Sequence, residues 1–405
     1  MKLSDLESKG GKHKLIWILG LMAAFPALAT DFYLPAFPKV AADLGVNITD
    51  IQLTLSASFY GMAVGSLVNG PLTDRYGRKR PAAIGISLFV IASIVCALSP
   101  NLTVLMIARF FQAVGGSASV VIGRAIARDL YTGQEMARTL SSVSTVFLLV
   151  PIIGPSLGAL VLNVATWHWI FGVLAVFGFI GLIATSRLPE TLPVELRNKN
   201  NVLQALSNYR QVSKDREFRF AAMQVATNSA LLFGYLSSAP AVFMGLFRVS
   251  QSTFALMFAA VAVVIIVTAR INRKVLQKRK VSQAIRGLVI VQFTGGVLML
   301  VALQFQPNMW VVLGLIMMIV GCCNAIAGNC TTLALTNFRE SAGAAGALVG
   351  VVQSTSAATM AAILAFIPVP PLPKMLGYMF LMATIALTIM IVRERSHRNE
   401  LAVQG

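Results

Sequence analysis

The sequence predicts an all-α membrane protein with twelve transmembrane helices in two six-helix bundles, and three observations predict it. Of 405 residues, 57% are apolar and only 12% charged, with a mean hydropathy of +0.76, whereas a soluble domain carries roughly 25% charged residues. Apolar runs of the length that crosses a hydrocarbon core, about 20 residues of helix, recur twelve times. Of the 33 basic residues, 29 fall before the first run, after the last, or in every second loop between.

In chain order the runs are 15–38, 48–70, 81–98, 102–127, 138–163, 167–187, 218–243, 251–270, 284–304, 308–335, 342–367 and 375–392. Four basic residues precede the first run. Alternate loops then carry 4, 3, 7, 7 and 1, and the C-terminal segment carries 3. The opposite side holds only Lys39, Arg248 and Lys374, and Arg109 is left over inside the fourth run. By the positive-inside rule both termini are cytoplasmic and the span count is even. The polar stretch 188–217 divides six spans from six, so the expected organisation is a bundle over 1–187, a cytoplasmic linker over 188–217 and a bundle over 218–405. Pro35 and Pro240, each near the outer end of a half's leading span, are candidate equivalents; Leu236 then stands where Asp31 does. Lys9, Lys12 and Lys14 before an apolar stretch and Ala27-Leu28-Ala29 also resemble a cleavable leader. Cleavage would leave eleven spans and set the termini on opposite sides, against the charge count.

Several classes are excluded. The net charge of +18 is spread through short loops and forms no basic face, which argues against nucleic-acid binding. His13, His168 and His397 are too far apart for a histidine metal motif, and Cys96, Cys322, Cys323 and Cys330 have no zinc or disulfide spacing. No nucleophile, base or metal cluster marks an enzyme, and no ring of like charge marks a channel. No cofactor is implied.

Of 15 acidic residues, only Asp31 sits well inside a span, where a charge costs roughly 2.5–3.5 kcal/mol and is by default functional. Arg109 is its expected partner: counted from Pro38 and from Asn101, both lie about 10–12 Å below the outer surface. Gln112, three residues after Arg109, shares its helix face. Asp31 and Arg109 are therefore candidates for proton coupling, and both, with Gln112, for substrate contact. Asn228, Phe233, Tyr235, Asn324 and Gln353 are further substrate candidates, each also readable as a packing or interhelical hydrogen-bonding residue. Small-residue pairs at Gly61/Gly65, Gly154/Gly158 and Gly346/Gly350 suit close helix packing, and Pro151 and Pro155 bend the fifth span around Gly154.

Between the second and third spans, Gly70-Pro71-Leu72-Thr73-Asp74-Arg75-Tyr76-Gly77-Arg78-Lys79-Arg80 resembles the loop signature of the major facilitator superfamily. Arg109-Phe110-Phe111-Gln112 resembles its fourth-span motif, with Ala113 where a glycine usually follows. The stretch from Pro151 to Gly158 resembles its fifth-span antiporter motif. Thr30-Asp31-Phe32-Tyr33-Leu34-Pro35-Ala36 and Arg128-Asp129-Leu130-Tyr131 are similar to the Bcr/CflA-type drug-resistance transporters. Within that group the phenicol exporters are nearest, by Ser238-Ala239-Pro240 and Val267-Thr268-Ala269-Arg270.

The resemblance implies a proton-coupled exporter of small, partly apolar antibiotics such as phenicols or bicyclomycin, acting in the bacterial inner membrane by alternating access; twelve spans can enclose their own path, so a monomer is the expected state. It implies that Asp31 carries the proton and Arg109 modulates it. Gly70, Asp74, Arg75, Gly77, Arg78, Arg128 and Asp129 would form the cytoplasmic gate, with Arg78–Asp129 and Asp74–Arg128 as latch pairs and Asp74 at the inner end of the eleventh span. The kink at Pro151, Gly154, Pro155 and Gly158 would pack the fifth span against the other half. The implied partners are the lipid bilayer, protons and a small-molecule substrate. Some drug antiporters of this superfamily carry a second acid two turns earlier; here Met22-Ala23-Ala24-Phe25 has none, which implies low proton stoichiometry and weak handling of dications. A carrier of a nucleoside, siderophore or amino-acid derivative would share all these motifs.

Overall fold

A computed structural model describes residues 9–131, 133–197, 211–336, 338 and 342–404. Part of the 188–217 stretch, residues 198–210, lies outside the described residues. The chain divides into two compact units, Met1–Leu206 and Ser207–Gly405, and each is described by itself.

In the first unit the helices are α1 (Lys9–Asp31), α2 (Phe37–Leu44), α3 (Gln52–Tyr76), α4 (Lys79–Ala97), α5 (Leu102–Leu130), α6 (Gly133–Val164) and α7 (His168–Ser186). The second unit has α8 (Arg216–Pro240), α9 (Gln251–Leu276), α10 (Val281–Leu303), α11 (Met309–Val320), α12 (Cys323–Thr336), α13 (Ala342–Phe366) and α14 (Pro371–Gln404). Helix occupies every one of the twelve expected spans. Among the described residues ten helical segments are long and apolar enough to cross a membrane. The other two, α3 and α6, fall short for different reasons: α3 buries Gln52, Thr54, Ser56, Ser58 and Asn69, and only Leu149–Val164 of α6 counts as an apolar helix among the described residues.

Local chemistry sets the helix ends. Asn101, Asp215, Ser250 and Asn308 each accept a backbone N–H of the first turn they precede, satisfying donors that the helix leaves open. α1 stops at Asp31 because the residue four further on is Pro35, which has no N–H to give to the Asp31 carbonyl. A 3-10 turn, Leu34–Ala36, then leads into α2. In the second unit α8 passes at Pro240 into a π-helical segment, Ala241–Leu246. Both leading helices therefore change helical type at the matched prolines.

The tenth expected span is two helices, α11 and α12, parted at Gly321 and Cys322. The Cys322 N–H bonds three residues back to Ile319, a tightened turn that interrupts the α-ladder. Packing within the first unit is closest where glycines remove side chains. A Cβ on Gly61 would overlap the Phe110 carbonyl, and one on Gly158 the Phe32 carbonyl. By contrast, among the described residues nothing lies within 4 Å of a Cβ placed on Gly346 or Gly350, so within its unit the third small-residue pair shows no close packing there.

The first unit's core includes Leu15, Leu19, Met22, Ala118 and Ile122, and the second unit's includes Phe218, Val225, Val289, Ile326 and Val349. Two of the three basic residues assigned to the outer side cap helix C-termini. The Lys39 ammonium donates to the Leu162 carbonyl at the end of α6. That of Lys374 donates to Leu364 and Ile367 at 2.9 and 3.0 Å, at the end of α13, where a cation complements the helix dipole.

Candidate functional site

Asp31, the last residue of α1, is 6% exposed. Its Cβ is the atom nearest the position a Cβ on Gly154 would take, at 3.0 Å, so the carboxylate arises beside the stretch of α6 that holds Pro151 and Pro155. Arg109, in the middle of α5, is 1% exposed. Its Nη1 donates to the Ala29 carbonyl at 2.9 Å and to Gln112 Oε1 at 2.6 Å. The amide of Gln112 donates in turn to Ser93 of α4 at 2.7 Å. Tyr33 and Phe171 lie 5.0 and 5.7 Å from the guanidinium carbon, within the range of cation–π attraction.

The expected Asp31–Arg109 ion pair is not formed. Among the described residues Asp31 makes neither an ion pair, which requires N···O within 4.0 Å, nor a hydrogen bond. Equal depth along two helix axes leaves rotation about them free. Around those axes Asp31 turns to α6, while Arg109 turns to the last turn of α1 and to α4. Gln112 does share the face of Arg109.

The α6 residues sit as a packing surface. Gly154, Pro155 and Gly158 are buried and Pro151 is half-buried, and the two glycines meet Asp31 and Phe32 of their own unit. With no side chains there, α1 and α6 approach at backbone distance.

At the other end of the unit the loop motif forms a clasp. The Arg78 side chain donates to Asp74 at 2.6 Å, to both oxygens of Asp129 at 2.8 and 3.2 Å, and to Thr73 at 3.3 Å. Burial of this guanidinium favours its neutral form, but hydrogen bonds and charge from Asp129 and Asp74 outweigh that and raise its pKa. Arg78–Asp129 forms as the resemblance implied. The Asp74–Arg128 pair does not: Asp74 is bonded to Arg78, four residues away, and Arg128 is exposed. Arg75 lies over the Tyr76 ring at 5.4 Å. Gly77 has a φ of +86°, which an L side chain rarely adopts. Gly70 has open space around it.

Sequence reasoning missed the residue that closes this clasp. Glu190, after α7, accepts the N–H groups of Arg78 at 2.8 Å, Lys79 at 3.2 Å, and Thr191 and Leu192 at 3.1 Å each. Partial burial raises a carboxyl pKa, yet these donors and the charge of Arg197 win, and that of Glu190 is lowered. Thr191 adds a hydroxyl bond to Asp129 at 2.9 Å. No periodicity or motif spacing pointed to them.

In the second unit the expected substrate residues do not come together. Asn228 is locked between Gln224 of its own helix and Gln292 of α10, both at 3.0 Å. Tyr235 is buried and stacked on Phe258, Phe233 and Gln353 are half-buried, and Asn324 is exposed. None of the five lines a groove of about 540 Å³ among α8, α13 and α14. Its lining includes Ala226 and Ala230, the adaptable thioethers of Met360 and Met382 and the hydroxyl of Thr355. No charged residue lines it. Its size is within the roughly 300–1,000 Å³ of small-molecule sites.

Residues 19–365 match the family model described as Major Facilitator Superfamily. The chain belongs to that superfamily. As a superfamily member with these apolar helices it is a multi-pass membrane protein, and its relatives bear drug-resistance names. It is 26% identical to the bicyclomycin resistance protein homolog of Haemophilus influenzae over 86% of this chain and 88% of that one. To the chloramphenicol resistance protein of Pseudomonas aeruginosa it is 34% identical over 66% and 64%. An uncharacterized MFS-type transporter of Bacillus subtilis, YdgK, is 38% identical over 62% of this chain and 64% of its own length; the match thus spans under two thirds of that relative. Among solved structures, the partially occluded inward-open xylose transporter XylE from E. coli superposes with a TM-score of 0.72 at 12% identity, over 93% and 96% of the two chains. At that identity the likeness is one of fold.

Proposed function

We propose that this superfamily member is a proton-coupled antiporter that exports small, partly apolar, uncharged drugs across the bacterial inner membrane by alternating access. It works as a monomer with both termini in the cytoplasm. The reading rests on Asp31: a carboxylate inside a span with no cation within ion-pair distance among the described residues. With no fixed counter-charge it is available to exchange a proton. The groove of the second unit supports the substrate chemistry, since an apolar lining without charge favours neutral molecules over ions. The bicyclomycin and chloramphenicol resistance names of its relatives agree in kind.

The test is proton release from purified, detergent-solubilised protein on adding chloramphenicol or bicyclomycin, with Asp31→Asn as control. Release by the parent and none by the variant supports drug–proton exchange at Asp31. Equal release by both overturns the role of Asp31. No release by the parent with either drug overturns the drug reading and favours a cellular metabolite as substrate.

A further inference from the structure

The guanidinium of Arg109 has more donors than the protein has acceptors for it. Nη1 is engaged by Ala29 and Gln112, but among the described residues neither Nε nor Nη2 reaches an acceptor, although both atoms are fully buried. The Tyr33 and Phe171 rings attract the cation but offer no lone pair to its N–H groups. Such orphan donors are rare in folded interiors and call for a partner.

Arg109 lines a cavity of about 10 Å³, which Thr30 of α1, Ser58 of α3 and Gln112 also line. That is close to the smallest space that admits one water molecule. The two hydroxyls have already spent their single hydrogens: Thr30 donates to the Pro26 carbonyl at 3.0 Å and Ser58 to the Thr54 carbonyl at 2.9 Å. They therefore present only acceptor lone pairs to the cavity. An occupant must accept from a cation on one side and donate to two oxygens on the other.

We infer that one internal water occupies this cavity, accepting from Arg109 and donating to Thr30 and Ser58. A halide would satisfy the guanidinium but face the hydroxyl lone pairs with no hydrogen to give, and the space is too small for a carboxylate. The water gives Arg109 an acceptor that Asp31 does not supply, and it ties α1, α3 and α5 together at the residue next to Asp31. With the bonds from Arg109 to Gln112 and on to Ser93, the network reaches a fourth helix, α4. This site stands whatever the protein transports.

The test is a structure of the full chain in lipid nanodiscs, at a resolution that shows ordered water elsewhere in the protein. A density peak within hydrogen-bonding distance of Arg109, Thr30 and Ser58 is expected in the parent. It should remain in Thr30→Ser, which keeps the acceptor without adding bulk, and be lost in the Thr30→Val/Ser58→Ala double variant, which removes both acceptors without filling the space. An empty cavity in the parent, or an unchanged peak in the double variant, overturns the assignment. Should the double variant fail to fold, Ser58→Ala alone is read the same way: a weakened peak supports the site and an unchanged one overturns it.

Discussion

Glu190 and Arg78 meet backbone to side chain: the carboxylate that follows α7 accepts the Arg78 N–H at 2.8 Å, while the Arg78 guanidinium turns away to Asp74 and Asp129. One residue is thus held from both ends. Its backbone, at the start of α4, is fixed by an acid from beyond α7, and its side chain is fixed by acids from α3 and α5.

Glu190 acts on α4 as an N-cap supplied from another segment. Glu190→Ala should lower stability by about 1 kcal/mol, the typical cost of a lost cap, read as a lower unfolding midpoint in detergent. Because the Glu190 pKa is lowered from its ordinary 4.5, its contribution is fully present above that value. It is lost as pH falls through the lower, folded value. Acid scans below that ordinary value should loosen the parent, and Glu190→Gln should lack that component. An identical acid response in the two proteins would contradict the assignment.

Arg78 bridges two carboxylates with a planar fork, which a lysine cannot reproduce. Its side chain is 7% exposed and that of Asp129 15%, so removing one partner leaves the other charge poorly solvated. Arg78→Ala is expected to cost about 3 kcal/mol and to abolish export, with Arg78→Lys intermediate in both. Unfolding midpoints and drug efflux from vesicles, measured on the same preparations, provide the check.

Gly158 should not tolerate a methyl group, because the Cβ would overlap the Phe32 carbonyl and a backbone atom in the packed turn after α1 cannot swing aside. Gly158→Ala should therefore lower stability by about 1–3 kcal/mol. Gly350→Ala is the matched control, with open space around the site and a gain in helix propensity. It should be neutral or slightly stabilising in the same unfolding assay.

Filling the second unit's groove should separate substrate binding from proton handling. Ala230→Phe places a ring in the groove lining and should weaken chloramphenicol binding at least tenfold, while Asn324→Ala, an exposed change outside the lining, should leave it unaltered. Equilibrium binding to the solubilised protein measures both, and equal affinity in parent and Ala230→Phe would remove the groove from the substrate path.

The helices were legible because apolar runs of span length and alternating loop charge record the bilayer directly in sequence. Arg109 with Gln112 was legible because residues three apart on a helix must share a face. Partnership across helices was not: depth along an axis says nothing of rotation about it, and so Asp31 and Arg109 were matched in height yet face different neighbours. Glu190 escaped notice because a loop carboxylate gains its meaning only from where the chain returns. The break at Gly321 carries no proline, and the groove is a space left by Ala226 and Ala230, residues that look like ordinary helix formers.

The two lysine caps differ in when they can close during synthesis. Lys374 is 10 and 7 residues from its carbonyl partners, so its cap forms as soon as that corner of chain is made. Lys39 is 123 residues from Leu162. A ribosome must deliver four further helices before the first corner can be fastened. Until then the lysine is an unspent cation at the head of a growing bundle, and the α1–α2 corner is among the last parts of the first unit to be fastened.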